Sequence, residues 1–421
     1  MEYVKKVIGS YNLHMIKTDR FKTINVELIF SNKIKKEEIT ITNFLSSILT
    51  YSTKKYPTKN SLAIKLQDLY AVRIFPSCYR IGDLYNVDFN LSMLDEKYSE
   101  DGMLEQTLDL LKAIIFDPNV VDGNFDLDSF NVIKNNEKSQ IERVREDSRK
   151  YSVIKMLQSL DSSSAFSYCS YGYMDDLELI TPSNLYDFYK KFIKSSNIDI
   201  FVVGDIDFNK IYNLFLEKFK FDENKYVKVN PILPVKKPRN EVNVVLEEDN
   251  TNQAKLSVGC LIDELSKFER EYVLNIYNLI LGGTADSKFF KNIREKYSIC
   301  YYISSAGNKL DNLLIITSGI SKENFDSTMS LISKEMNDMV EGNFSSLDVE
   351  NSKKYYISAL DEVEDRPNQI ISSYYAMDLL GVDNVEKRKE EIMKVSKDDI
   401  IALAKKIKID TVFLLGGDKK W

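Results

Sequence analysis

Outside its many carboxylates the chain carries few residues that could do chemistry, and its most unusual grouping is uncharged: Asn43, Ser46, Ser47 and Thr50. Within residues 40–53 these four share one stripe at helical spacing. Ile41, Phe44, Leu45, Ile48 and Leu49 recur at i, i+3, i+4, i+7 and i+8 and form the face that faces a core. A solvated helix face in this chain would carry Lys and Glu. One carboxamide and three hydroxyls can exchange hydrogen bonds, but they supply no strong metal ligand and no carboxylate base. His14 is the only histidine and sits in an expected strand with Tyr11, Leu13, Met15 and Ile16, so a Ser-His-Asp or Cys-His arrangement would hang on one strand residue; a structural role is expected. Cys78, Cys169, Cys260 and Cys300 form no C-x-x-C pair, which points away from a Cys-rich zinc site or a disulfide framework and towards free, mostly buried thiols. With 64 acidic residues, carboxylate pairs by themselves discriminate nothing. Gly282-Gly283 lacks a following Lys-Ser/Thr at phosphate-loop spacing and reads as a helix C-cap and turn.

The elements that must position these residues follow from periodicity. Residues 8–30 read as two strands around Thr18-Asp19-Arg20, the second being 23–30, and the helix 40–53 comes next. After Pro57 a second helix is expected over Leu62 to Leu69, then two strands between Val72 and Leu94 broken at Ile81-Gly82-Asp83, then a helix from Gln106 to Phe116 stopped by Asp117-Pro118. One long charged helix is expected from about Asp126 to Leu160. Ile180-Thr181-Pro182-Ser183 caps a helix to about Ile193, and the strand 198–203 closes on Gly204-Asp205. The end of the chain repeats that arrangement: a helix after Val395-Ser396, then Thr411 to Leu415 closing on Gly416-Gly417-Asp418. Phe201 and Phe413 lie 212 positions apart, as do Gly204 and Gly416. This spacing, half the chain, predicts two homologous halves: 1–220 and 241–421. The connector 221–240 holds Pro231, Pro234 and Pro238, three of the chain's eight prolines, and is expected to be extended and partly rigid.

The length of 421 residues suggests two to four domains at ~150 residues each. A hydrophobic fraction of 43% is ample for packed cores, and 64 acidic against 57 basic residues, net −7, argue against nucleic acid or an anionic membrane as the main partner. The beginning, Met1-Glu2-Tyr3-Val4-Lys5-Lys6, has no apolar leader core, and no window reaches the ~18 apolar residues that span a bilayer, so a cytoplasmic location is expected.

The stretch Asn43-Phe44-Leu45-Ser46-Ser47-Ile48-Leu49, with Thr53-Lys54-Lys55-Tyr56-Pro57 behind it, resembles the metal helix of the pitrilysin/insulinase-type zinc peptidases, whose inverted motif is H-x-x-E-H. In that register Asn43, Ser46 and Ser47 stand where the first His, the general-base Glu and the second His belong. The stretch Leu281-Gly282-Gly283, Ser287-Lys288-Phe289-Phe290, Ile293-Arg294-Glu295-Lys296 and Ile299-Cys300-Tyr301 is similar to the family's L-G-G-x-x-x-S-x-L-F-x-x-x-R-E-K-x-x-L-x-Y block. Val202-Val203-Gly204-Asp205 resembles its V-V-G-D strand end.

The resemblance implies an α+β fold of two halves, each a mostly antiparallel sheet with helices on one face, forming a clam-like chamber. It also implies a third zinc ligand, a Glu, from the helix after Asp126, at a position that counting back from Glu146-Asp147 sets near Ile141; Glu137 and Glu142 nearby read as solvated charges. Substrate in the family adds as a strand to the edge of the first-half sheet, which maps to Phe75 and Ser77 around Pro76, while an Arg and a Tyr of the second half reach the peptide, mapping to Arg294 and Tyr301. No zinc is expected here. The function implied is that of a catalytically degenerate bacterial member, the inactive subunit of a heterodimer with a zinc-bearing homologue, contributing to peptide binding. The alternatives are an active metallopeptidase with unorthodox ligands and a stand-alone peptide-binding clamp. For Arg294 and Tyr301 the plain alternative is an acid partner for the one and packing for the other.

Overall fold

A computed structural model describes residues 1–222, 228–249 and 253–416. The chain forms two compact units. Unit 1 comprises residues 1–143, 169–230 and 364–372, and unit 2 comprises 144–168, 231–363 and the chain from Ser373 onward. The halves of the repeat, with boundaries at 220 and 240, thus exchange two helical segments when they are counted as compact bodies.

Unit 1 is built on six strands, β1 Glu2–Ile8, β2 Tyr11–Lys17, β3 Thr23–Lys33, β4 Arg73–Ile81, β5 Leu84–Leu94 and β6 Asn197–Gly204, in the order β1-β2-β6-β3-β5-β4. Only β2 and β6 pair in parallel. Alternation decides which face is covered: Val26, Leu28 and Phe30 of β3 and Val87, Phe89 and Leu91 of β5 enter the helix-covered core, and Glu27 and Asp88 point to the other face. β6 is buried along nearly its whole length, as its run Ile-Asp-Ile-Phe-Val-Val requires of a central strand. Unit 2 has five strands, β7 Asn243–Glu247, β8 Ala254–Ile262, β9 Cys300–Asn308, β10 Leu313–Ile320 and β11 Ile407–Leu415, in the order β9-β10-β8-β11-β7. Its single parallel pair is β11 with β7.

The two sheets repeat the same plan. β6 lies between a parallel strand and the long antiparallel β3, and β11 lies between parallel β7 and antiparallel β8. Val202 faces Val26 across its ladder, and Leu414, 212 positions later, faces Leu256. The repeat read at Gly204 and Gly416 therefore extends to strand pairing; Gly417 and Asp418 lie outside the described residues.

Three expectations need correction. β1 was not foreseen, because its residues are mostly exposed and it pairs along a single edge, with β2. The metal-helix equivalent, α1, runs Lys36–Leu49, not 40–53: it starts early because Glu37 and Glu38 suit a first turn, and it stops at Leu49, with Thr53 bridging to Pro118. The single helix expected over 126–160 is two, α2 Leu127–Glu146 and α3 Ser148–Asp161, divided where Asp147 caps Lys150 N–H. Within unit 2, α3 packs on β8 and β11, where Ser152 Oγ meets Ser257 Oγ at 2.8 Å, so that sheet carries helices on both faces. Part of the connector, 223–227, lies outside the described residues. From Pro231 onward it is tied into unit 2 by Leu233 N–H to Leu310 O at 2.8 Å and by the Arg239–Asp410 ion pair, while Ser10 Oγ donates to the Asp222 carbonyl at 2.7 Å within unit 1.

Candidate functional site

α1 buries Phe44, Leu45, Ile48 and Leu49, with Phe44 stacked on Phe130 of α2 at 4.8 Å between ring centroids. That face fixes the rotation of the helix, and the neutral stripe beside it meets partners one by one. Asn43 Nδ2 donates to the Ser170 carbonyl at 2.8 Å, and Asn43 Oδ1 accepts from the Tyr85 hydroxyl at 2.6 Å. Ser46 Oγ donates to its own turn at Asn43 O and accepts from the Cys78 thiol at 3.3 Å. Ser47 Oγ donates to Glu137 Oε1 at 2.7 Å.

Glu137 is not the solvated charge expected beside the third-ligand position near Ile141. It is only 4% exposed, whereas Ile141, where counting back had set that position, packs its side chain against the core. Burial raises the Glu137 carboxyl above the ordinary range, and the hydrogen bond from Ser47 partly offsets this. The signal was present in the sequence: Phe130, Ile133, Glu137 and Ile141 follow helical spacing, so Glu137 is an acid inside an apolar stripe.

Zinc needs about three N, S or carboxylate ligands at ~2.0–2.3 Å. Asn43 and Ser47 present neutral atoms already engaged with protein groups, and Ser46 has no carboxylate to take a proton from an attacking water. The side chains around α1 do not make a zinc set, and Glu137 alone is one anionic donor. What they make is a closed hydrogen-bonded lining.

The other expected site residues are distributed. Phe75 is 48% exposed on β4, the open edge of the first sheet, and Ser77 beside it is half-buried. β4 keeps its pairing with β5 in unbroken register from Arg73 to Ile81, with Pro76 opposite Phe89, as an edge strand whose proline nitrogen faces outward allows. In unit 2, Arg294 is exposed; rather than pairing with an acid, its guanidinium lies 4.7 Å from the Phe290 ring centre. Tyr301 on β9 is 62% exposed, so packing does not account for it. Gly282 is no left-handed cap: a Cβ there would sit 2.6 Å from the Phe289 ring and 2.6 Å from Ser305 Oγ, so its role is close approach.

Sequence reasoning missed a buried acid pair. Glu27 on β3 and Asp88 on β5 lie on the same face of adjacent strands, and both are nearly inaccessible. Burial raises both carboxyls, and the Glu27 charge raises Asp88 further. Burial likewise pushes the Cys78 thiol up to about 12, so it is not a nucleophile at neutral pH. His14 is fully buried, stacked on Phe201 with centroids 4.1 Å apart, and bonded to Tyr3 and Asp199 at 2.9 and 3.2 Å, a structural role.

Fold and site together define a protein with the two-sheet architecture of a peptidase and a metal helix emptied of ligands and base. The family profile described as Peptidase M16 inactive domain matches residues 179–356. The chain is 28% identical over 426 residues to the "Probable inactive metalloprotease YmfF" of Bacillus subtilis (strain 168), covering 99% of each. A crystal structure of a conserved protein from Enterococcus faecalis V583 superimposes with a TM-score of 0.92 at 25% identity, covering 100% of this chain and 99% of that one. The peptidase M16 inactive domain from Pseudomonas fluorescens shares the fold, with a TM-score of 0.79 at 15% identity over 99% of both chains. The likeness, in sequence to a probable inactive metalloprotease and in fold to M16-type chains, is thus to inactive homologues of the M16, pitrilysin/insulinase-type, peptidases. Among the described residues no helix is long and apolar enough to cross a membrane.

Proposed function

We propose that this chain is the non-catalytic subunit of a heterodimer with a zinc-bearing homologue, binds no zinc itself, and contributes peptide-binding surface in the cytoplasm. The observation that carries the reading is the lining of α1. The three positions that would hold metal chemistry carry neutral side chains whose polar atoms are taken up by Tyr85, Ser170, Cys78 and Glu137, so the helix is maintained without its reaction. Support for peptide contact comes from the open edge of β4 with Phe75 and Ser77, and from the exposed Arg294 and Tyr301, Arg294 having no ion pair among the described residues. Pro76 lacks an N–H, so an added strand loses one ladder bond there, and peptide binding by the isolated chain is expected to be weak and poorly selective.

The test is co-purification from the native host. A stoichiometric partner carrying an intact H-x-x-E-H, with peptidase activity only in the pair, is the expected result. Recovery of the chain alone, with tight selective peptide binding abolished by blocking β4, would replace this reading with the clamp. Replacing Arg294 with Ala should weaken partner or peptide binding by ~1–3 kcal/mol, the scale of a lost charged hydrogen bond, with little change in melting temperature.

A further inference from the structure

Unit 2 holds a cavity of its own. The loop after β8, the start of the helical segment 267–283, the β9–β10 turn and the residues around Leu380 enclose a cavity of about 370 Å³, within the ~300–1,000 Å³ range of small-molecule pockets. Leu265, Leu310, Leu380 and Val382 form its apolar wall. Two opposite charges, Glu271 and Lys309, line the same cavity. Glu271 is 8% exposed, and its Oε2 is fully buried with no hydrogen bond; its only ion-pair contact is through Oε1, at 3.8 Å from the exposed Lys267. The Lys309 ammonium makes no hydrogen bond or ion pair among the described residues, with Glu271 or any other acid. Desolvation lowers its pKa, an effect that the nearby Glu271 charge opposes and the Arg388 and Arg270 charges reinforce.

The polar groups around this pair are already engaged. Arg270 donates to Asn312 Oδ1 at 2.9 Å and to the Lys309 carbonyl. Arg388 donates to Asp383 O at 2.9 Å and to Ser373 Oγ at 2.7 Å, and Tyr272 donates to Asp383 at 2.5 Å. Glu271 Oε2 is left without a donor and the Lys309 ammonium without an acceptor among the described residues, on the lining of one cavity.

A buried carboxylate oxygen without a donor costs free energy that a ligand's ammonium recovers, and the half-buried Lys309 ammonium is open to a ligand's acceptor. An inorganic anion would answer Lys309 and be repelled by Glu271. A divalent cation would find one carboxylate among several positive charges, and a purely apolar ligand would answer neither group. We propose that this cavity binds a free apolar α-amino acid, with its ammonium on Glu271 Oε2, its carboxylate on Lys309 Nζ and its side chain against Leu265, Leu310, Leu380 and Val382.

Calorimetry and thermal melting of the full chain with L-leucine test the assignment, with 4-methylpentanoate, 3-methylbutylamine and glycine as probes lacking the amine, the carboxylate and the side chain. Saturable leucine binding with a raised melting temperature is expected, each probe binding at least ~10-fold more weakly. Lys309→Met should weaken leucine about 10-fold while leaving 3-methylbutylamine unchanged, and Glu271→Gln should do the converse with 4-methylpentanoate. If Glu271→Gln does not fold, Lys309→Met and the probe series decide alone. The proposal is overturned if no apolar amino acid binds at millimolar concentration, if the truncated probes bind as well as leucine, or if Lys309→Met leaves leucine affinity intact.

Discussion

The repeat places a helix after the long central strand in each unit, and the two helices treat that position in opposite ways. In unit 1, α1 keeps a buried polar stripe and gives each member a partner. In unit 2, the segment 267–283 fills the position with Tyr272, Val273, Ile276, Tyr277, Ile280 and Leu281 and brings Gly282 hard against Phe289 and Ser305. It also opens into wider, i→i+5 turns at Glu269–Val273 and Leu279–Gly283, whereas α1 is regular throughout. Unit 2 made the helix part of its core. Unit 1 fills the slot with neutral polar groups, which costs little only because nearly every buried polar atom there is hydrogen-bonded. The α1 lining is thus a distinct structural solution, with Glu137 as its one acid.

The largest effect expected from this contrast is regain of metal. The triple variant Asn43→His, Ser46→Glu, Ser47→His places the motif residues on α1 with Glu137 already within reach of position 47. It should hold one equivalent of zinc through dialysis, with an apparent binding free energy on the order of 10 kcal/mol, where the parent chain holds none. A folded triple variant without zinc would show that Glu137 is a packing carboxylate only and that the slot has changed shape as well as chemistry.

Next in size is a steric test of unit 2. Gly282→Ala puts a methyl group into the Phe289 ring and the Ser305 backbone nitrogen, 2.9 Å away, and should cost ~1–3 kcal/mol in urea unfolding. Ser46→Ala in α1 removes an oxygen without crowding anything and should cost about 1 kcal/mol at most. Equal costs would erase the distinction between a close-packed and a hydrogen-bonded helix.

Much of this architecture is legible in the chain itself, because it rests on periodicity and repetition. The 3.6-residue spacing of Phe44, Leu45, Ile48 and Leu49 marks α1, and the 212-residue spacing of Gly204 and Gly416 marks the paired central strands. β1 was hidden because an exposed edge strand such as Glu-Tyr-Val-Lys-Lys carries no apolar alternation. Glu137 is legible as an acid within the apolar spacing of Phe130, Ile133 and Ile141, but its hydrogen bond to Ser47, 90 residues away in sequence, is not. The Glu27–Asp88 pair and the Glu271–Lys309 cavity depend on which strands and turns become neighbours, and composition says nothing about that.

The smallest expected effect is a change of slope with pH, and its sign discriminates between a buried and a solvated Glu137. Burial raises the Glu137 carboxyl, so the folded chain holds that proton to higher pH than the unfolded chain, whose glutamate titrates near ~4.3. Stability from this group is therefore full below the unfolded value and is lost as pH rises through the folded one. Glu137→Gln removes that loss, and its stability relative to the parent should improve as pH rises above the unfolded value, as read in urea titrations. Ser47→Ala should move the other way, because it deletes the hydrogen bond that favours the charged form and so steepens the loss. The Glu27–Asp88 pair adds a slope of the same sign, but it is common to the parent and both variants and cancels in the differences. Parallel curves for the parent and Glu137→Gln would return Glu137 to the solvated charge that its helix suggests, and with it the claim that unit 1 preserves one member of a lost metal set.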